Sequence, residues 1–436
     1  MKILLVEDTG KDRYTTHNKD QMGGFGIDFK TESLISKILQ SFKIIRMVPI
    51  MMLGYAAGIL SKNHDVEVVS NGSMKEADIV IIYSSIVQCK AEREYAIRYK
   101  EKYPRARVGF IGPFASKVPE FYKDCCDFII QGEPESIFFQ LNNGEVKLDG
   151  LIHSPSLKDI DALPFPKWEL FEYNRYNYFP LLKAKPFITM TTTRGCSMNC
   201  SYCPYTALNG RYQERSIKNV LDEMEYLQDV CGIKSIMFRD PVFVFNKQRV
   251  RSLLKGMAER RFRFEWGCET RMDMLDRPII EFMVKHGLKA INFGVESGND
   301  EILKNVNRKQ SFDNIIKNIE ICRELGVKTC AFYLIGTLSE TSQTAMQTLE
   351  TAKRLNTFVA KFHINTPYPG TPQFEELKPL LLDEDWEKYD SSHLVFKHPS
   401  FSSADIMRLK NRFYNRYYFR LSYLIKNFPS LISIII

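Results

Sequence analysis

Short runs rich in Val and Ile alternate with helical stretches twice along this chain, and that rhythm commits it to parallel β-sheets flanked by helices. The first set is Lys2–Glu7, Asp65–Ser70, Asp78–Ser85, Ala106–Pro113 and Asp127–Glu133. It predicts a doubly wound α/β domain over residues 1–149, with ligands at the carboxyl ends of its strands. A crowd of prolines and aromatics without periodicity follows and reads as an ordered linker, 150–185. The rhythm then restarts in six runs: Phe187–Thr193, Lys234–Asp240, Phe262–Glu269, Lys289–Ser297, Lys328–Gly336 and Val359–Pro367. Six βα units predict a partial (β/α)6 barrel over 186–380, with its chemistry at the carboxyl ends of the strands. Polar residues gather at those ends: Arg239–Asp240, Glu269–Arg271, Glu296–Ser297, Gly336 and Asn365–Thr366. Residues 381–436 are expected to form a helical C-terminal region. A length of 436 residues suits two domains and such a tail.

The polar, glycine-bearing stretch from Thr9 to Phe29 does not fit the alternation, and a loop of that length points to function or disorder. The apolar run Met47–Leu60 is too short to span a bilayer and contains Pro49, Gly54 and Gly58. It predicts a buried helix entered through a proline. The start of the chain reads as a first strand rather than a secretory leader. Ten scattered cysteines then fit a reducing cytoplasm, where thiols are buried or bind metal. The net charge of +8 is mild and says little for nucleic acid.

Directly after the first barrel strand stand Cys196, Cys200 and Cys203, spaced C-x3-C-x2-C. Thiolates are soft ligands that favour iron–sulfur clusters, zinc or copper(I). Structural zinc would need a fourth ligand, and Cys231 and His286 are far along the chain. Three thiolates on a cubane cluster leave one iron open for a small molecule to chelate.

This spacing, with an aromatic residue, Tyr202, before the third cysteine, resembles the signature of the radical S-adenosylmethionine (SAM) enzymes. The segments Gly294–Arg308, Tyr333–Thr341 and Thr366–Leu377 also resemble segments of that family, in the same order. The resemblance implies a 4Fe-4S cluster on Cys196, Cys200 and Cys203, with SAM on the open iron. Reductive cleavage would then release a 5′-deoxyadenosyl radical, the cofactors carrying the hard chemistry. It further implies Tyr202 near the adenine, Glu296 and Ser297 near the ribose and methionine parts, and Arg271 on the SAM carboxylate. Asp240 lies where relatives often have a second acid, which is Pro241 here. No catalytic residue follows from the motifs. An external reductant such as flavodoxin or ferredoxin is implied.

The first domain resembles the Rossmann-like cobalamin-binding domain that precedes one class of these enzymes. Ser84, Ser85, Gly112, Gly132 and Glu133 are the positions expected nearest the macrocycle, with Pro113 and Pro134 as departures from the usual pattern. A D-x-H-x-x-G motif is absent, so the resemblance implies cobalamin without histidine on cobalt, and His17 is expected to be solvated.

Methylation of an unactivated carbon on a small-molecule or lipid-like substrate is the expected reaction. Cyclisation or rearrangement by the same radical is the alternative, and a non-catalytic iron–sulfur electron carrier is the alternative of another class. An RNA methylthiotransferase is disfavoured, because the first domain has no second cysteine cluster. In the tail, Ile406, Leu409, Phe413, Tyr417, Leu421 and Leu424 fall at helical spacing among Arg and Lys. Such a helix docks on the barrel or lies on a membrane surface as a peripheral contact.

Overall fold

The computed structural model describes residues 1–7, 17–19, 25, 27–28, 48–70, 72–205, 211–425 and 427. The long loop after the first strand lies largely outside these residues, and so does the His17 side chain.

Five β-type runs of the first half become strands: β1 (Lys2–Val6), β4 (Asp65–Val69), β5 (Ile79–Tyr83), β6 (Arg107–Ile111) and β7 (Phe128–Gln131). Within the intervening loop, β2 (His17–Asn18) and β3 (Ile27–Asp28) pair antiparallel. A sixth strand, β8 (Gly150–His153), pairs parallel with β7 and completes the order β4-β1-β5-β6-β7-β8. The first sheet therefore runs past residue 149, which corrects the expected boundary. Three of the four β8 residues are exposed, so an edge strand of this kind lacks the apolar run that betrays a central one.

The second sheet has the order β16-β15-β14-β13-β12-β9 and is parallel throughout. Its strands are β9 (Phe187–Met190), β12 (Ser235–Phe238), β13 (Glu265–Glu269), β14 (Leu288–Glu296), β15 (Lys328–Ile335) and β16 (Val359–Ile364). Between β9 and β12, β10 (Thr193–Arg194) and β11 (Gln213–Glu214) form a short antiparallel pair. Each crossover helix starts on a capping side chain. Ser216, Asn246, Asp276, Ser311 and Thr341 each accept a backbone N–H from three residues on. Such a cap satisfies a donor the first turn would otherwise strand.

The two sheets share one apolar core, and the linker joins them. The helix Met51–Leu60 presents Gly54 and Gly58 to it. A Cβ on Gly54 would lie 2.8 Å from Trp168, and one on Gly58 would lie 2.5 Å from the Phe165 carbonyl oxygen. At the end of β1, Glu7 accepts from Arg175 and from the Tyr176 hydroxyl. The linker thus covers the β1 end, where a doubly wound sheet would otherwise offer a crevice. Phe25 stacks on Tyr368 with ring centroids 5.1 Å apart, tying the first loop to the segment after β16. Nearby, Lys90 pairs with Asp385 at 2.6 Å.

The tail helix spans Ser403–Tyr418 and docks on β16. Ile406, Phe413 and Tyr417 are buried, and Phe413 meets Phe362 edge-on at 5.2 Å. The expected apolar stripe stops there, because the helix ends at Phe419 and Tyr423 takes the next buried place. Leu421 and Leu424 are exposed. Residues 381–402 hold one short 3-10 turn and an isolated bridge between Leu381 and Phe396, so the C-terminal region is helical only in its last part. Among the described residues, no helix is long and apolar enough to cross a membrane.

Candidate active site at the barrel mouth

The cysteine loop leaves β9 through Thr191 and Thr192. Asp240, wholly buried at the end of β12, accepts from the Thr192 N–H and from the Thr192 and Thr193 hydroxyls. Its carboxylate therefore shapes the loop entrance and is fully engaged there. Gly195, at φ +73°, turns the chain into Cys196. Farther on, the Ser201 N–H donates to the Val306 carbonyl at 3.1 Å, and the Gln373 N–H donates to the Ser201 carbonyl. The Asn307 amide donates to the Asn199 carbonyl at 2.6 Å. Elements after β14 and after β16 thus pin the loop by backbone contacts.

Cys200 is buried, and Cys196 and Cys203 are half-buried. Burial pushes the Cys203 thiol up to about 12, and the two neighbouring thiols push the same way. Three converging thiolates with no cation would be costly here, and soft-metal ligation removes that cost. The donor set therefore fits an iron–sulfur cluster. Among the described residues, no three His, Cys, Asp or Glu side chains already form a metal cage.

Tyr202 is buried, and its hydroxyl accepts from Arg308 at 3.2 Å. Arg308 also donates to the Gly294 carbonyl at 2.6 Å and pairs with Glu296 at 3.5 Å. Glu296 sits at φ +62° where the β14–β15 register shifts, and burial raises its carboxyl above the ordinary range. A Cβ on Gly294, two residues earlier, would fall 1.9 Å from the Glu296 Oε1, so a side chain there would displace that carboxylate. Ser297 Oγ meets Thr348 Oγ1 at 3.1 Å and accepts from the Asn299 N–H. The Arg271 guanidinium pairs with Asp273 at 2.8 Å and also donates to the Lys309 carbonyl. Its fork is thus already engaged, 3.9 Å from the Met198 sulfur. Tyr202 and Glu296 meet through Arg308, Arg271 reaches Met198 of the loop, and Ser297 is held by Thr348 beside Glu296. Arg308 is the partner that sequence reasoning missed, although it ends one of the diagnostic segments.

A cavity of about 470 Å³ separates the carboxyl ends of the two sheets. Gly112, Gly132, Glu133 and Ser154 form one wall; Thr193, Arg194, Gly195, Tyr205 and Arg239 form the other. Gly112 has φ +106° and Gly132 φ +87°. A Cβ on Gly112 would lie 2.8 Å from the Ser84 carbonyl oxygen, so that turn needs glycine. The two glycines on this wall let a ligand approach the backbone at the strand ends closely. The predicted Ser84 and Ser85 lie behind it rather than on it. Ser84 Oγ accepts from the Ala115 N–H at 2.6 Å, and Ser85 Oγ donates to Glu92 at 2.7 Å. Their hydroxyls complete the sheet ends, a role that strand-end position alone does not distinguish from ligand contact. On the opposite wall Arg239 donates to Glu269 at 2.5 Å and to the Tyr205 hydroxyl at 3.3 Å.

Residues 190–352 match the model of the radical SAM superfamily. An uncharacterized methyltransferase of Pyrococcus horikoshii is 25% identical over 435 residues, covering 91% of this chain and 92% of that protein. The anaerobic magnesium-protoporphyrin IX monomethyl ester cyclase of Cereibacter sphaeroides is 26% identical, covering 67% of this chain and 52% of its own length. Among solved structures, the radical SAM methyltransferase TsrM from Kitasatospora setae, with cobalamin and a [4Fe-4S] cluster bound, superposes with a TM-score of 0.62. The match has 17% identity and covers 86% of this chain and 77% of that one, a likeness of fold. Residues 190–352 thus form a radical SAM domain, and the chain as a whole shares the fold of a radical SAM methyltransferase solved with cobalamin and a [4Fe-4S] cluster bound.

Proposed function

We propose that this enzyme methylates an unactivated carbon of a small-molecule or lipid-like substrate. One observation carries the reading: the glycine-edged wall of the first sheet faces the root of the cysteine loop across a single cavity. Cys196, Cys200 and Cys203 would hold the cluster. Tyr202, Glu296, Ser297, Arg308 and Arg271 would surround SAM, and Gly112, Gly132 and Glu133 would flank cobalamin. When bound, these groups supply an electron, hydrogen abstraction and a methyl group.

The chain's own contribution is binding, orientation and exclusion of water. The Arg308 hub keeps the Tyr202 ring and the Glu296 carboxylate in fixed relation, so a nucleoside would meet a preformed wall. The Arg239–Glu269 pair and Tyr205 sit between the cavity and the barrel, where a substrate would be oriented by hydrogen bonds. Turnover needs a one-electron donor such as flavodoxin or ferredoxin. Phe419, Leu421, Leu424 and Ile425 are exposed beyond the tail helix, next to Arg412 and Arg416. They support a peripheral contact with an anionic membrane surface for an enzyme working in the cytoplasm.

The test is anaerobic reconstitution with iron, sulfide, cobalamin, methyl-labelled SAM and candidate substrates. Release of 5′-deoxyadenosine with label moving to carbon supports the reading. A cyclised, unlabelled product would assign the same site to ring closure. Absence of SAM cleavage under every reductant would leave an electron carrier.

A further inference from the structure

The last residue of β10, Arg194, stands two residues before the first cysteine, yet its guanidinium is held by the other half of the molecule. Nη2 donates to Glu135 at 2.7 Å, and Nη1 pairs with Glu133 at 3.4 Å. The guanidinium also lies 5.0 Å from the ring centroid of Tyr55, on the helix Met51–Leu60. Glu133 lies in the turn after β7 that includes Gly132, and Glu135 opens the helix Glu135–Asn142 that follows. Arg194, both acids and Tyr55 all line the cavity between the sheets.

The burial of these groups makes the tie stiff. Side-chain exposure is 14% for Arg194, 10% for Glu133 and 2% for Glu135. The two buried acids depend on the one guanidinium between them, since losing Arg194 leaves both without their paired cation. Glu135 Oε2 makes no hydrogen bond, and among the described residues Arg194 is the cation paired with that carboxylate. Only Gly195 separates Arg194 from Cys196. A shift of the β7 turn is therefore passed to the cysteine loop through one side chain, and the loop constrains the turn in return.

We propose that Arg194 is a positioning residue that couples the two cofactor sites, so that filling the cavity and assembling the cluster stabilise each other. The inference rests on the cofactor assignment above. By linkage, if the assembled cluster tightens cobalamin binding, bound cobalamin retains the cluster by the same factor. Neither site need touch the other's cofactor for this to hold, because the coupled element is the turn–arginine–loop unit.

The experiment uses the full chain under anaerobic conditions and titrates cobalamin spectrophotometrically, with the cluster reconstituted and with iron stripped. The wild type should bind cobalamin about fivefold or more tightly with the cluster present, the lower range of ordinary coupling. Arg194→Gln should reconstitute its iron and lose that difference. Arg194→Lys, which keeps the charge, should retain part of it. Glu135→Gln, which weakens the tie from the side of the first sheet and keeps the arginine and the loop sequence in place, should weaken the difference too and decides the matter if Arg194→Gln fails to fold. Equal affinity in the two wild-type states, or an undiminished difference in Arg194→Gln, overturns the coupling while the cofactor assignment stands. Failure of the wild type to bind cobalamin in either state overturns the assignment and the coupling together.

Discussion

Arg308 donates to the Tyr202 hydroxyl at 3.2 Å across 106 positions of sequence, joining the end of the β14 segment to the cysteine loop. Tyr202 is buried, the Arg308 side chain is 9% exposed, and Glu296 completes the contact. Removing the arginine strands a carboxylate and a phenol together. Arg308→Ala should lower stability by about 3 kcal/mol, the lower end for breaking a buried pair. Protonation of Glu296 limits the loss. Arg308→Lys keeps the charge but lacks the fork that serves Tyr202, Gly294, Glu296 and Gln310, and should recover only part of it. Denaturant unfolding measures the stability, and equilibrium dialysis with SAM measures whether the nucleoside wall survives.

Replacing Cys196, Cys200 or Cys203 by Ala should drop bound iron from about four per chain to a small fraction and abolish SAM cleavage. The loop's pins are backbone hydrogen bonds from Ser201 and Gln373, so unfolding midpoints of the iron-free variants should match iron-free wild type. Iron analysis and 5′-deoxyadenosine release read the first effect. Full cleavage by any one variant would remove that cysteine from the cluster.

Glu340 lies buried after β15, where its carboxylate accepts from the Gly336 N–H. Burial pushes it up to about 8 from an unfolded value near 4.5. The folded state therefore holds a proton that the unfolded chain releases. Stability from this group is complete below about pH 4.5 and is lost as pH rises toward 8. Glu340→Gln keeps an acceptor and cannot ionise. It should flatten the decline between pH 6 and 8.5 and raise stability at pH 8.5 by roughly 1–3 kcal/mol. Urea midpoints at the two pH values test this; parallel curves for the variant and the wild type would contradict it.

The tail helix offers a contrast between neighbours in one stripe. Phe413→Ala opens a cavity against Phe362 and should cost roughly 3–5 kcal/mol. Leu421, 72% exposed, should change stability by less than about 0.5 kcal/mol when replaced by Ser. Thermal unfolding separates the two. Sedimentation with anionic liposomes at low salt should respond in the opposite sense, with Leu421→Ser weakening binding.

Every strand of the second sheet was legible because buried parallel strands are rich in apolar residues, and these runs stand out from the charged helices between them. The cysteine loop was legible because its spacing is local. Strand β8 was not, since it lies at an edge with Leu151 and His153 exposed. Ser84 and Ser85 were misplaced because position at a strand end does not reveal whether a hydroxyl turns toward the cavity or back to Ala115 and Glu92. Arg194 and Arg308 find their partners through contacts 59 and 106 residues away, and no periodicity records such a pairing. The tail stripe was read correctly as far as Tyr417, beyond which a turn at Phe419 resets the register.

The stack of Phe25 on Tyr368 has a consequence for how the enzyme is made. A ring emerging early in translation has no partner until the last barrel strand has followed it out of the ribosome. At roughly 5–20 residues per second that wait is on the order of tens of seconds. During it, the first sheet can fold with its glycine-edged wall still uncovered. A bulky ligand supplied to the nascent chain meets an open shelf, whereas one added to the finished protein must enter between walls already joined. Supplementing the growing cells should therefore fill the enzyme more completely than soaking the purified chain.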